Sequence, residues 1–349
     1  MDSKPIITKE TKNRISVDYD GKLTLKERLL QKLKASNTWI KVAISIFKFI
    51  LMLGISYVIL FPFISKIAGS FMSIDDVVDA TVSLIPKNPT LDIYKYMVLE
   101  NRYFEAFGNT LVLSLICAFI QTFVSCLVGY GLAKFKFKGN NVVFAIVIVV
   151  MLIPHGTLEM SMRTFFNDFD LLIPSSLNKD LSGIIELLTG SRVSLKNTYW
   201  PFAIMSLGGL ALKNGLYIYL MRQFFKGVPD ELEESAYVDG SGTFRTFLQI
   251  IIPLSVPMMI TIFLFSFSWQ WTDEFYTSVF FGGPQAPWMM PKLIEEVPLH
   301  LQFNHSGMQI YENVIDNTAG IMIILPLVIM YLFCQRYLVQ GIERSGLVG

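Results

Sequence analysis

Between two long apolar runs lies a polar segment that carries the signals of two short helices. It reads Gly227-Val-Pro-Asp-Glu-Leu-Glu-Glu-Ser-Ala-Tyr-Val-Asp-Gly240 and continues through Ser241 to Pro253. Pro229 suits the first position of a helix, and Asp230 and Glu231 place negative charge at the positive end of its dipole. Gly240 suits a left-handed residue after the last turn, and Ser241 can cap a second helix. We therefore expect two short helices joined by a tight Asp-Gly turn.

The second helix of this pair is predicted to be amphipathic. Phe244, Phe247, Leu248 and Ile251 recur at the spacing of one helical face. Since both helices lie between two apolar runs, they would stand at the surface of a membrane. Such a protrusion is suited to docking into a partner protein.

The apolar runs on either side are long enough to cross a membrane, which takes about 20 mostly apolar residues. The 349-residue chain is 52% hydrophobic and 16% charged, and soluble domains carry about 25% charged residues. Six candidate spans can be drawn, at residues 43–64, 111–133, 142–158, 199–221, 250–272 and 318–335. This pattern predicts an all-α, polytopic membrane protein with six transmembrane helices.

Basic residues beside the spans predict the orientation of the chain. Residues 1–41 carry ten Lys and Arg, and the segments after spans two, four and six add eight more on the same face. The opposite face carries nine, spread over longer segments. Because basic residues concentrate on the cytoplasmic side, both termini are predicted to be cytoplasmic.

The spans divide the chain into three parts. Residues 1–42 form a basic cytoplasmic N-terminal tail, 43–335 a six-span transmembrane domain, and 336–349 a cytoplasmic C-terminal tail. Within the transmembrane domain, the two predicted surface helices occupy 227–249, and an external loop at about 173–196 is unusually long.

Composition and motifs argue against several classes of protein. A formal net charge of +1 gives no electrostatic footprint for nucleic acid. No Gly-x-x-x-x-Gly-Lys-Ser/Thr phosphate loop is present, so the chain is not expected to hydrolyse ATP itself. The histidines lack metal-ligand spacing, and no catalytic constellation is supported. The three cysteines fall in apolar runs, as small buried side chains do: Cys117, Cys126 and Cys334.

The polar segment resembles the signature of permease subunits of bacterial binding-protein-dependent ABC importers. That signature is Glu-Ala-Ala, three residues, Gly, nine residues, Ile, one residue and Leu-Pro. The matching positions here are Glu234, Ser235, Ala236, Gly240, Ile250, Ile252 and Pro253. Two positions depart from it, with Ser in place of the second residue and Ile in place of Leu.

The resemblance implies the fold of a type I ABC importer permease and a set of partners. In that family the helix pair couples to a groove of a cytoplasmic ATPase dimer, which binds ATP and Mg²⁺. This chain would bind no cofactor or metal and would be a non-catalytic transport subunit in the bacterial cell membrane. Its other partners would be a second permease (as a heterodimer), an extracellular solute-binding protein and membrane lipid, but not nucleic acid. The residues implied in ATPase docking are Glu234, Ser235, Ala236, Asp239 and Gly240.

Further stretches look like the carbohydrate-uptake branch of the family. They are Asn109-Thr-Leu111, Tyr130-Gly-Leu-Ala-Lys134, Arg222-Gln-Phe-Phe225 and Trp269-Gln-Trp-Thr-Asp273. The tail from Gln335 to Gly341 resembles the maltose-permease type. The resemblance thus implies import of a mono- or oligosaccharide by alternating access, driven by the separate ATPase.

Polar residues inside spans are expensive and often functional. Lys213 and Asn214 fall within the fourth span, and Trp269, Gln270 and Asp273 near the end of the fifth. Trp269 and Asp273 are four residues apart and would share a helix face, offering a ring and a carboxylate to a sugar. The alternative is an aromatic belt at the membrane interface, with Lys213 reaching to water or pairing with an acid.

Other transporters remain possible on the residues alone. An amino-acid or peptide ABC permease would share the docking signature. An ion-coupled secondary carrier would favour inverted repeats and mid-membrane carboxylates, and neither is evident in the sequence. A membrane-embedded enzyme would need a catalytic motif. A co-purifying ATPase and second permease would separate the importer from these alternatives.

Overall fold

A computed structural model describes residues 36–170, 184–190, 193–305 and 309–344. Most of the predicted N-terminal tail, part of the predicted external insertion and residues 345–349 lie outside the described residues. Within these ranges the regular structure is helical, apart from one isolated bridge between Phe169 and Val193.

The helices are numbered in chain order. They are α1 (Ser36–Gly69), α2 (Ile74–Val78), α3 (Asp92–Leu99), α4 (Tyr103–Lys134), α5 (Asn140–Leu152), a 3-10 turn (His155–Leu158), α6 (Glu159–Asn167), α7 (Ile184–Thr189), α8 (Trp200–Leu207), α9 (Asn214–Lys226), α10 (Glu231–Val238), α11 (Thr243–Thr246), a π-helical turn (Phe247–Ile251), α12 (Ile252–Trp271), α13 (Phe275–Phe280), α14 (Lys292–Glu295), α15 (Leu299–His305) and α16 (Gln309–Arg344).

Four helical stretches are long and apolar enough to cross a membrane, at the places of the first, second, fifth and sixth predicted spans. They cover Ile40–Gly69, Tyr103–Lys134, Thr243–Trp271 and Ile310–Leu338. A fifth candidate is the bent pair at Asn140–Leu152 and His155–Asn167. The all-α polytopic class is therefore confirmed, whereas six continuous spans are not seen in the described part of the chain.

The third predicted span, 142–158, ends early because of a proline. α5 stops at Leu152, and the next helical segment leaves it at an angle of 93°. Ile153 is extended (φ −69°, ψ 121°), as expected for a residue before proline, and Pro154 has no N–H to continue the helix.

The fourth predicted span, 199–221, is two helices and not one. α8 ends at Leu207, and α9 begins only at Asn214. Gly209 adopts a left-handed φ of +72°, which glycine allows without a Cβ clash and which ends α8. Lys213, directly before α9, is also left-handed with φ +60°, an uncommon conformation for a residue with a side chain.

The chain divides into two compact units, residues 1–64 and 65–349. The described part of the first unit is most of α1, whose side chains are exposed along an apolar helix. In the second unit, α4 packs against α8, α9 and α12, and α12 packs against α16. Buried apolar side chains from these helices form the core of that unit.

Two glycines let these helices approach closely. A Cβ at Gly129 of α4 would lie 2.5 Å from the Cβ of Met221 in α9. A Cβ at Gly215 of α9 would lie 2.7 Å from the Cγ of Met151 in α5. Both distances are shorter than the closest non-bonded approach of a Cβ atom in proteins, so a side chain at either position would push the helices apart.

Candidate functional site

The two predicted surface helices are present as α10 and α11, joined by a glycine turn. Gly240 has φ +80°, and its N–H donates to the carbonyl of Tyr237 at 3.0 Å. The N–H of Ser241 donates to the carbonyl of Ala236 at 2.9 Å. These two bonds form a Schellman motif, which ends α10 as the sequence predicted.

Other local details differ from the sequence prediction. α10 starts at Glu231 after Asp230, so Pro229 precedes its first position and does not occupy it. Ser241 does not cap α11, because Gly242 takes the cap position in extended conformation (φ −78°, ψ 161°) without a side-chain bond. α11 runs through the π-helical turn into α12, so the second surface helix and the fifth span form one continuous helix.

A lysine at the end of α4 holds the start of α10 in place. The Nζ of Lys134 donates to the carbonyl of Val228 at 2.6 Å and lies 2.5 Å from a carboxylate oxygen of Asp230. The hydrogen bond that Lys134 donates to the Asp230 carboxylate keeps the pKa of that carboxyl below its ordinary value. The same Nζ lies 3.7 Å from Glu233, whose other carboxylate oxygen accepts a 3.1 Å hydrogen bond from the hydroxyl of Tyr130. The start of α10 is thus held to the end of α4 by ion pairs and hydrogen bonds.

An aromatic cluster lies beneath this connection. The ring of Tyr130 meets the rings of Phe225 and Phe247 with centroids 5.4 and 4.8 Å apart. Ile251 is fully buried in the same cluster. The predicted apolar face of the second helix is therefore divided: Phe247 and Ile251 point into the protein, whereas Phe244 is exposed.

Four of the five predicted docking residues are exposed, and one is not. Ala236 is buried against the protein, so its small side chain supports the helix pair from beneath. The exposed surface also carries apolar side chains, with Val238 87% exposed and Phe244 73% exposed. The exposed predicted residues are Glu234, Ser235, Asp239 and Gly240.

The second predicted group lies around the interruption of the fourth span. The Nζ of Lys213 stands 5.0 Å from the centroid of the Trp269 ring, within cation–π range. Both residues are exposed. Nearby, Nδ1 of His155 lies 2.6 Å from the hydroxyl of Tyr276. The structure thus joins Lys213 and Trp269, which the sequence placed in separate spans.

Asp273 is not placed as the sequence predicted. α12 ends at Trp271, so Trp269 and Asp273 do not share a helix face. The Asp273 carboxylate is buried and accepts the backbone N–H of Tyr276 at 3.2 Å, near the start of α13. Gln270 is also buried and donates to the same carboxylate at 3.4 Å. Both side chains are used to shape the turn between α12 and α13.

Asn214 belongs to a buried polar layer that the sequence reasoning missed. Its Oδ1 accepts a 3.2 Å hydrogen bond from Ser125, while its Nδ2 has no partner among the described residues. In the same layer Gln121 donates to Ser206 at 3.3 Å and accepts from Ser266 at 2.9 Å. The available signal was Gln121 and Ser125, four residues apart in a span that otherwise reads as apolar.

The apolar helices and their surface connection define a polytopic, all-α membrane protein. A model of the family described as "Binding-protein-dependent transport system inner membrane component" matches residues 121–344, well over half of the chain. The chain belongs to this family, and the resemblance of its polar segment to importer permeases is confirmed.

Curated relatives cover nearly the whole chain. The polygalacturonan/rhamnogalacturonan transport system permease protein YtcP of Bacillus subtilis is 24% identical over 311 residues, covering 87% of this chain and 97% of its own. The arabinooligosaccharides transport system permease protein AraQ of the same organism is 26% identical over 306 residues, covering 86% and 94%. These two relatives are permeases named for saccharide transport.

A solved structure shares the fold. A chain of a bacterial ABC transporter involved in the import of the acidic polysaccharide alginate superposes with a TM-score of 0.63. It is 19% identical, and the match covers 91% of this chain and 99% of that one. The fold is therefore that of an ABC importer permease.

Proposed function

We propose that this chain is the membrane-spanning subunit of an ATP-driven saccharide importer, coupled through α10 and α11 to a separate ATPase. The observation that carries the proposal is an exposed helix pair fixed firmly to the transmembrane helices. Glu234, Ser235, Asp239 and Gly240 would face the ATPase, and Ala236 would support them from within. The ATPase would bind ATP and Mg²⁺ and hydrolyse the ATP, and this chain would form part of the path of the saccharide through the membrane.

The attachment of the helix pair supports transmission of movement. Lys134 joins the start of α10 to α4, and α11 continues directly into α12. A displacement of the pair would therefore move both helices, which pack against each other. Closure of the ATPase could in this way alternate access to a path through the membrane.

The complete importer requires further components and a defined orientation. Basic residues predict that both termini and the helix pair face the cytoplasm. A second permease would complete the path, and an extracellular binding protein would deliver the substrate to the opposite face. Membership of a binding-protein-dependent family supports this composition.

Docking is tested by placing charge on the exposed apolar surface. Val238→Glu and Phe244→Glu should each lower ATPase co-purification with the tagged permease about tenfold, since a charge desolvated in an interface is costly. Ile85→Glu is the matched control, because Ile85 is equally exposed in a distant loop. Wild-type co-purification of both docking variants would refute the docking role.

The saccharide substrate is supported by the names of the relatives and by the exposed pair of Lys213 and Trp269. An aromatic ring stacks on the apolar face of a sugar, and a lysine can donate to hydroxyls or pair with a uronate carboxylate. We expect Trp269→Ala to lower uptake about tenfold in vesicles with the partner subunits and binding protein present. Radiolabelled arabino-oligosaccharides and oligogalacturonides serve as probes.

Trp200→Ala is the control for this experiment, because Trp200 is exposed on α8. Loss of uptake in Trp269→Ala, with ATPase binding and Trp200→Ala uptake unchanged, supports contact with the substrate. Unchanged uptake in Trp269→Ala refutes it. Uptake of peptides instead of saccharides by the wild-type assembly would refute the substrate class.

A further inference from the structure

A cavity of about 500 Å³ lies where the end of α4, the start of α5 and the end of α9 meet. Four basic side chains line it, and no acidic residue does: Lys136, Lys138, Arg222 and Lys226. None of the four forms an ion pair within the described ranges. We call this feature the cationic cavity. Uncompensated positive charge in a concave site attracts anions.

Arg222 makes the strongest case for a ligand. Its residue surface is only 8% exposed, and its guanidinium carbon lies 3.7 Å from the centroid of the Phe144 ring. Its Nε is buried and has no hydrogen-bond partner in the part of the chain that the structure describes. Arg222 is thus a permanently charged, largely buried group with no ion-pair partner among the described residues, and an anion in the cavity it lines would offset this charge.

The neighbouring carboxylates are already engaged. Asp230 is close enough to Lys136 to be influenced by its charge, but its hydrogen bond goes to Lys134. Glu233 accepts from Tyr130 and faces the same Lys134. Neither residue lines the cationic cavity.

The rim of the cavity is held in a fixed shape. The Nδ2 of Asn140 donates to the carbonyl of Phe135 at 2.8 Å and to that of Leu132 at 3.3 Å. Gly139 makes the turn before it with φ +97°. The connection between α4 and α5 is therefore braced by hydrogen bonds, and the cavity does not depend on a ligand to form.

An apolar surface continues from the cavity along α5. Its exposed side chains recur at helical spacing and include Val142, Val143, Ile146 and Val149. Phe137, which lines the cavity, is also partly exposed. A free phosphate would use only the basic part of this site, whereas a phospholipid would place its acyl chains on the apolar surface and its headgroup phosphate among the basic side chains.

We propose that the cationic cavity binds the headgroup phosphate of an anionic phospholipid. Arg222 would donate to the phosphate from the floor of the cavity, and the three exposed lysines would surround it at the rim. The lipid would thereby hold the ends of α4, α5 and α9 together directly beside the helix pair α10–α11.

The test uses the full chain with its partner subunits, extracted and examined by native mass spectrometry for retained lipid. The probes are phosphatidylglycerol, phosphatidylcholine and inorganic phosphate. Phosphatidylglycerol should be retained about tenfold more strongly than phosphatidylcholine, and the Lys136→Gln, Lys138→Gln, Lys226→Gln triple variant should lose this preference. The control is Lys95→Gln, Lys196→Gln, Arg163→Gln, which removes three exposed basic residues elsewhere.

Each outcome decides the proposal. Loss of the preference in the cavity variant but not in the control supports the lipid site. Equal retention of the two lipids by the wild type overturns it, as does an unchanged preference in the cavity variant. Displacement of the lipid by millimolar inorganic phosphate would assign the site to a free anion. If the cavity variant kept its preference for phosphatidylglycerol but no longer co-purified with the ATPase, the cationic cavity would belong to the interface with the ATPase.

Discussion

The left-handed backbone of Gly240 can be tested for its role in coupling ATP hydrolysis to uptake. Its φ is +80°, and a Cβ there would meet no atom within 4 Å, so a substitution affects only the backbone. Gly240→Val should cost about 1–2 kcal/mol and reduce uptake per ATP hydrolysed, because the helix pair changes its angle. Gly240→Asn should retain coupling, since Asn tolerates this conformation.

Gly283 supplies a matched control for this prediction. It is also left-handed, with φ +82°, and has equally open surroundings. Gly283→Val should lower the melting temperature in detergent by a similar amount. Its uptake per ATP hydrolysed should equal that of the wild type. Coupling at the wild-type level in Gly240→Val would contradict the proposed role of the turn.

The contacts of Lys134 predict that the more distant acid contributes more to stability. Asp230 is closer but largely exposed, whereas Glu233 is buried. Asp230→Ala should lower the melting temperature little, as loss of a surface pair does, whereas Glu233→Ala should cost about 1–3 kcal/mol, because it leaves the Tyr130 hydroxyl without its acceptor. Thermal denaturation of the two variants shows which substitution destabilises the protein more. A larger loss in Asp230→Ala would show that burial does not decide the contribution of each acid to stability.

Sequence reasoning located the residues of the surface turn but not their support. Pro229, Asp239 and Gly240 gave local signals, because helix ends depend on neighbouring residues. Lys134 and Tyr130 are about a hundred positions away along the chain, and nothing local indicated their contacts with Asp230 and Glu233. Asp273 was misplaced because spacing on a helix has no meaning once the helix has ended.

At the level of elements, the crossing of α4 and α9 depends on a single missing side chain. Gly129→Ala would place a Cβ 2.5 Å from that of Met221 and 3.0 Å from the backbone nitrogen of Arg222, so the helices must separate. The expected cost is about 1–3 kcal/mol. Gly131→Ala, two residues along the same helix, meets nothing within 4 Å and should be neutral or stabilising.

Thermal melting of the two alanine variants checks this contrast. A melting temperature of Gly129→Ala equal to that of Gly131→Ala would show that α4 and α9 separate without cost.

Hydropathy predicted the straight apolar helices but failed at the interruptions. An apolar average does not register that Gly209 leaves the helical conformation or that Pro154 ends α5. Inside a membrane such breaks require compensation for the free backbone groups, and beyond Gly209 the N–H of Leu210, for instance, donates to the carbonyl of Met205 at 2.9 Å.

For the whole molecule, the all-α polytopic class was predictable because long apolar runs leave few alternatives. The orientation, in contrast, remains a prediction from charge. A membrane-impermeant maleimide should label Ile85→Cys in intact cells and Val238→Cys only after permeabilisation. Cys334→Ser removes the one half-buried native thiol, since Cys117 and Cys126 are buried. Labelling of Val238→Cys in intact cells would reverse the orientation.

The continuity of α11 with α12 has a mechanical consequence. The helical stretch Thr243–Trp271 has 29 residues, and at 1.5 Å per residue it is about 44 Å long. A lever of that length, tilted by about 5° at one end, displaces the other end by about 4 Å. Phe244 lies at one end and Trp269 at the other. A tilt of about 5° about the Phe244 end would therefore carry the Trp269 ring by about 4 Å, which is more than the length of one hydrogen bond.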